Sequence, residues 1–251
     1  MATRALLYRR PHEPKTLVIT HGSQFFAIRL RRHRRARRYT LRIHPSDREA
    51  ILTMPPRGTL AEAKDFAQRH GAWIAARLGR LPKAAPFQPG TVIPLRGVPH
   101  RIVHRAGARG TVWTEVRDSG ERILCVAGGV EYADRRVHDF LKREARKDLQ
   151  KAAQLYADAL GVRVKRLSIR DQSSRWGSCT SAGSLSFSWR LILAPPFVLD
   201  YLAAHEVAHL VEMNHSPRFW RVVGKVCASV TRAKNWLDTN GNDLHRYGIE
   251  D

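Results

Sequence analysis

The chain has 251 residues, 43% of them hydrophobic, enough for one large core or two smaller ones. No apolar run nears the ~18 residues of a membrane span, no leader-like stretch with a cleavage site opens the chain, and Cys125, Cys179 and Cys227 form neither a CxxC pair nor a disulfide framework, so a cytoplasmic protein without membrane contact is expected. The net charge of +22 is uneven: residues 1–110 carry 23 Lys+Arg against 5 Asp+Glu, and residues 111–251 carry 21 against 17.

The first half alternates short β-like runs with turns. Strands are predicted at Leu17–Thr20, Phe25–Leu30, Tyr39–Ile43 and Ala50–Met54. Tyr39-Thr40-Leu41-Arg42-Ile43 has the period of two of a half-buried strand. Arg29 to Arg38 reads RLRRHRRARR, with seven arginines in ten positions. Such a run attracts polyanions. It has no interleaved aromatics for base stacking, and the plain alternative is a solvated face. Pro55-Pro56 closes the set, and one helix is predicted from Leu60 to Leu81 with Thr59 as N-cap. Pro82–Gly90 reads as a linker. Further strands are predicted at Val92–Leu95, His100–His104, Thr111–Val116 and Arg122–Val126.

The organisation changes at Gly128-Gly129. A long helix is predicted over Asp134–Leu160 from the apolar stripe Val137, Phe140, Leu141, Ala145, Leu149, Ala152 and Leu155, with Gly161 as its stop. A strand at Val164–Arg170 and a polar turn-rich loop at Ser173–Gly183 follow. Ser184–Leu193 reads as a strand pair or one bent strand, and Phe197–Met213 as a helix. Ser216-Pro217 opens a last helix, Arg218–Ser229. The chain therefore divides, on this reading, into a basic β-rich domain with one helix, 1–127, and a second domain, 128–251.

The predicted helix Phe197–Met213 contains His205-Glu206-Val207-Ala208-His209, an HExxH motif. Positions i and i+4 share one helix face, so both histidines can close on one metal ion with Glu206 beside it. Zinc takes nitrogen ligands tetrahedrally, and a catalytic site leaves one position to water. His215, ten residues after His205, is the expected third ligand, with Asn214 in a left-handed turn that doubles the chain back. Glu212 competes for that place, but it lies one turn further along the helix and reads better as an outer partner or a surface residue. The expected site is one Zn2+ per chain on His205, His209 and His215, with Glu206 as the base that activates water. Metzincins share the spacing, but they carry Gly where Glu212 stands and a methionine turn that is missing after Met213.

Arg175, Arg190 and Arg218 are candidates to stabilise a transition state, each equally readable as structural. Cys179, in Ser174-Arg175-Trp176-Gly177-Ser178-Cys179-Thr180, is read as a buried residue beside a tight turn rather than a nucleophile or fourth ligand. Cys227 is read as core, and His245 is not expected to be a ligand. These features predict an α+β fold, a zincin-like metalloprotease catalytic domain preceded by the small basic β-rich domain.

Four segments resemble the YgjP-like metal-dependent hydrolases, metallopeptidases related to the WLM and SprT-like zincins. They are RRHRRARRYTLRI (Arg31–Ile43), Trp176-Gly177-Ser178-Cys179, the run Trp189–Pro196 and HEVAHLVEMNHSPRFW (His205–Trp220). The likeness extends over roughly residues 25–240. It implies metal ligands at His205, His209 and His215, a catalytic base at Glu206, and an arginine run that is a trait of the family. Ser188 departs from the Asn of the family pattern, and Ala228 from a frequent Pro.

A zinc metallopeptidase acting on peptides or proteins is the first functional reading, with the strand near Ser184–Ser188 pairing to an extended substrate. The alternative is a metal-dependent phosphoanhydride hydrolase acting on nucleoside triphosphates, since guanidinium groups grip phosphates. A third reading is a nucleic-acid-associated protease whose Arg29–Arg38 region takes an anionic partner, a nucleotide or a nucleic acid.

Overall fold

The computed structural model describes residues 13–172 and 175–249. It separates into two compact units, Met1–Leu81 and Pro82–Asp251. Any reading of residues 1–12 and of Ser173 and Ser174 lies outside the described residues.

In the first unit, β1 (Thr16–His21), β2 (Gln24–Arg32), β3 (Thr40–His44) and β4 (Glu49–Met54) form one sheet in the order β1-β2-β4-β3. Alternation turns Ile19, Ile28, Ala50, Leu52 and Met54 to one face, where they pack with Ala63, Ala67 and Ile74 of two helices. The helix expected over 60–81 is broken into α1 (Leu60–Arg69) and α2 (Gly71–Gly79). His70 leaves helical geometry (φ −100, ψ 12), and Gly71 lies so close to His21 that a Cβ would stand 3.0 Å from its side chain. Thr59 caps α1 in a full capping box with Glu62, as its sequence predicts.

The second unit contains the sheet β5 (Val92–Leu95), β6 (Val98–Arg105), β7 (Val112–Val116) and β8 (Arg122–Ala127), ordered β5-β6-β8-β7. The helix α3 (Ala133–Leu160) follows and stops at left-handed Gly161. Its buried positions Val137, Leu141, Ala145, Leu149 and Ala153 recur every four residues and make one stripe. Ile102, Leu124 and Val126 of the sheet share a single apolar cluster with that stripe and with Leu191 and Val207. The domain boundary expected at 127/128 would cut through this core, and the compact units part instead at Leu81/Pro82.

A three-stranded sheet, ordered β10-β11-β9, comprises β9 (Arg166–Arg170), β10 (Gly177–Cys179) and β11 (Ser184–Ser188). Two local expectations fail in this region. The segment read as a tight turn at Trp-Gly-Ser-Cys contains strand β10, and only Ser184–Ser188 of the following segment is a strand. Trp189–Leu193 is a 3-10 turn, opened by Ser188 Oγ accepting the Arg190 amide at 3.3 Å. The helices α4 (Pro196–Ala208), α5 (Pro217–Val226) and α6 (Val230–Asn240) complete the unit. Among the described residues no helix is long and apolar enough to cross a membrane.

Arg190 is 2% exposed and fully engaged. It donates to both oxygens of Asp171 (3.0 and 3.3 Å) and to the carbonyls of Leu244 (2.9 Å) and Tyr247 (2.7 Å). Burial pushes the Asp171 carboxyl up, but the Arg190 charge and hydrogen bonds outweigh it and leave the carboxyl below its usual range. Arg190 is therefore a structural clamp on the C-terminal segment. Arg190→Met is expected to cost about 3 kcal/mol, because it strands a carboxylate and two carbonyls, read as a lower denaturant midpoint; an unchanged midpoint would rule out the clamp.

Candidate metal centre

The histidine cluster is built by one helix and the chain immediately after it. Pro195 and Pro196 start α4, whose residues Val198, Leu202, Ala203 and Val207 are buried and hold it in the core. The helix is apolar almost all round, as a buried helix should be. It brings His205 and Glu206 inward and ends at Ala208, with His209 as its C-cap. The helix predicted to run on to Met213 therefore stops one turn early. The chain continues in tight turns, with Leu210 N donating to Val207 O (2.9 Å) and Val211 N to Ala208 O (3.0 Å).

The return to His215 differs from expectation. Asn214 has no left-handed conformation; only Arg48 and Arg96 among described non-glycine residues have positive φ. Hydrogen bonds make the turn instead. Asn214 N donates to Glu212 Oε1 (3.4 Å), and Ser216 N donates to Asn214 O (2.7 Å). Ser216 then caps α5 by accepting the Phe219 amide at 3.3 Å, with Pro217 in the first turn.

His205, His209 and His215 each offer a ring nitrogen within 4.8 Å of the others, and Nε2 of His205 lies 3.0 Å from Nε2 of His215. Among the described residues no other group of three or more potential ligands converges. Glu206 follows His205 and is 4% exposed. Gly177 of β10 presses against it: a Cβ there would stand 2.4 Å from Glu206 Oε1. The segment Trp176-Gly177 thus has a reason that its sequence did not disclose, a missing side chain where the carboxylate passes.

Burial holds the His205 imidazole down to about 4, helped by its two neighbouring histidines, and burial lowers His209 as well. Burial pushes the Glu206 carboxyl up to about 7, opposed by Arg175. Cys179 is pushed up to about 11 by burial and then by Glu206, so it is no thiolate nucleophile, and it stands outside the histidine cluster.

Residues 37–240 match the family described as YgjP-like, metallopeptidase domain. The chain belongs to this family. It is a metal-dependent hydrolase of the metallopeptidase kind, and a divalent metal comes with that membership. The chain is also similar to the metallopeptidase zymogen of Pyrococcus abyssi abylysin, seen in a crystal structure. The two are 25% identical over 40% of this chain and 99% of that one, with a TM-score of 0.34. No curated protein matches the chain.

The donor set of this YgjP-like protein suits a divalent ion. Zinc–nitrogen bonds of ~2.0–2.1 Å in a tetrahedron require nitrogens roughly 3.3 Å apart, and the His205–His215 separation is close to that. Neutral imidazoles are the ligating form, and His209 Nδ1 donates to the Glu212 carbonyl (3.2 Å), leaving Nε2 free. Glu212 thus meets the site through its backbone, and its carboxylate lies 3.9 Å from Arg218.

Sequence reasoning missed several contributors. Phe219 is fully buried and stacks on His209 (centroids 4.5 Å), while Trp220 stacks on His215 (5.8 Å). The Tyr201 hydroxyl lies 3.4 Å from His205 Nδ1. The available signal was Phe219-Trp220 in the first turn of α5, where aromatics so close after the third histidine can fold back against the cluster. His245 does not join the cluster; it stacks on Trp176 at 5.1 Å.

A cleft of about 310 Å³ opens beside His205 and Glu206, lined also by Arg175, Trp176, Tyr201 and Lys234. Of the three candidate arginines, Arg175 lines this cleft, Arg190 is the structural clamp, and Arg218 faces Glu212.

The edge above the site belongs to β10. The strand expected to receive substrate, Ser184–Ser188, has both its edges taken, by β10 and β9. Trp176 O accepts from Ser188 N (2.9 Å), and Thr180 N donates to Ser184 O (3.0 Å). Alternation in an antiparallel ladder then directs the backbone groups of Gly177 and Cys179 to the open side. Gly177→Ala is expected to displace the Glu206 carboxylate and lower hydrolysis about 10²-fold while leaving metal content unchanged. Full activity in this variant would show that the contact is dispensable.

Proposed function

We propose that the protein cleaves peptide bonds at a zinc ion held by His205, His209 and His215, with Glu206 as the proton carrier. The observation that supports this reading is the convergence of three imidazoles beside a buried carboxylate, under an open strand edge. A divalent ion bound there would supply Lewis acidity to a water molecule and to the scissile carbonyl. Glu206 accepts a proton from the attacking water and delivers it to the leaving amine. Its burial under Gly177 fixes the carboxylate and keeps bulk water from competing for it. Arg175 and Lys234 present positive charge to the cleft, where oxyanion character would develop. An extended peptide adds to the outer edge of β10 through the backbone groups of Gly177 and Cys179 that point away from β11, which would align its carbonyl with the site.

The alternative activity on nucleoside triphosphates would need several cations at the cleft to meet a triphosphate. Arg175 and Lys234 are the two that line it, with the acidic Asp238 beside them. The test is digestion of a mixed peptide pool and of nucleoside triphosphates by the full chain, with the products read by mass spectrometry. Cleaved peptides with intact triphosphates are expected. Triphosphate hydrolysis with intact peptides would replace this reading by the alternative.

A further inference from the structure

We propose that the first unit carries a nucleic-acid surface that grips the phosphodiester backbone through unpaired arginines at one end of its sheet. Residues 13–81 hold 15 Lys+Arg against 5 Asp+Glu. All five acids are engaged elsewhere. Asp47 and Glu49 hold Arg29, Glu13 holds Arg32, and Asp65 holds Arg69, while Glu62 belongs to the α1 cap and to Tyr39. Arg31, Arg34, Arg35, Arg37, Arg38 and Arg42 are exposed, and none has an acidic partner among the described residues. Arg57 is in the same state.

Strand register brings these cations together. β2 runs parallel to β4 with Arg32 opposite Met54, and β3 runs antiparallel to β4 with Thr40 opposite Thr53. The end of β2, the connection 33–39, the start of β3 and the turn 55–58 therefore all lie at one end of the sheet. Arg32 pins that end by donating to the carbonyls of Pro55 (2.7 Å) and Pro56 (2.9 Å), and His33 N donates to Met54 O (3.0 Å). Arg31 shares a row with Thr53 and Thr40 on the face away from the helices, and Arg42 stands in the next row with Ile51. Strands ~4.8 Å apart and residues ~3.3 Å apart put Arg31 and Arg42 on the order of 10 Å from each other. Short threonines between them let a strand approach the backbone.

The pattern fits a linear polyanion better than a compact ligand, because the charges fan around an edge rather than close on one point. It also fits nucleic acid better than an anionic membrane. Of the large apolar residues exposed in this unit, Val18 and Phe25 lie toward the other end of β1 and β2, Trp73 is on α2, and Leu60 at the start of α1 is a single side chain near the cations, so no amphipathic apolar face accompanies them. No exposed aromatic ring interleaves the arginines, which leaves phosphate recognition without base stacking and predicts indifference to sequence.

The experiment measures fluorescence anisotropy of a labelled oligonucleotide, single-stranded and as a duplex, with the full chain. If six phosphates are neutralised, affinity falls about 10³-fold between about 50 and 200 mM salt. Replacing Arg34, Arg35, Arg37 and Arg38 together by Gln is expected to weaken binding at least about tenfold. A control replaces Arg163, Lys165, Arg166 and Arg170 of the second unit by Gln and is expected to bind within about twofold of wild type. Circular dichroism establishes that both variants fold. Binding of either nucleic-acid form with this contrast supports the proposal, and the tighter form identifies the partner. Equal loss in both variants, salt-independent binding, or tighter capture by phosphatidylcholine–phosphatidylserine vesicles would overturn it.

Discussion

Glutamine at position 206 is expected to leave metal bound and to lower peptide hydrolysis by about 10²–10⁴-fold, the usual contribution of a positioned acid–base group. The amide is nearly isosteric with the carboxylate, so the space beneath Gly177 stays filled. It cannot accept and return a proton. Glu206 is not one of the three converging histidines, so metal content should match wild type. The effect should appear in kcat rather than in KM, because the lost interaction acts on the moving proton and not on the bound peptide. A Glu206→Gln variant with wild-type kcat would remove Glu206 from the chemistry.

Alanine at position 209 is expected to abolish both metal retention and hydrolysis. His209 caps α4, stacks on Phe219, and is held by the Glu212 carbonyl, so its ring is fixed by packing on several sides. Removing it leaves two nitrogens, too few for a tetrahedral site that must also leave a position for water. Inductively coupled plasma mass spectrometry of the dialysed variant reads the loss directly, and unfolding curves separate metal loss from misfolding. Retention of stoichiometric metal by His209→Ala would mean that the ion sits elsewhere.

The histidine cluster was legible because it is short-range. His205, Glu206 and His209 follow helical spacing, and the Ser216-Pro217 start of α5 marks where the chain returns. Most strands were legible for the same reason: burial alternates along β2, and β4 is a short apolar run. What failed depends on contacts distant in sequence. The sheet β5–β8 belongs with α3 because its apolar face needs that helix, and neither segment says so alone. β10 is too short to show a period, and it exists because β11 pairs with it along three positions. Gly177 looked like turn punctuation because the group it accommodates, Glu206, lies 29 residues away. Phe219, Trp220 and Tyr201 carry no metal-ligand signature of their own, and their part in the site shows only in the contacts they make with the imidazoles.

Titration of zinc into the metal-free chain and into its His209→Ala variant, with hydrolysis of a mixed peptide pool followed at each step, tests the three-histidine assignment most directly. In the wild-type chain hydrolysis should be absent at first, rise with added zinc, and level off near about one equivalent per chain, with the His209→Ala and Glu206→Gln proteins staying flat throughout. Hydrolysis that proceeds without metal, or that zinc restores equally in His209→Ala, would contradict the histidine site, and an equal response to zinc in Glu206→Gln would contradict the role of Glu206 as proton carrier.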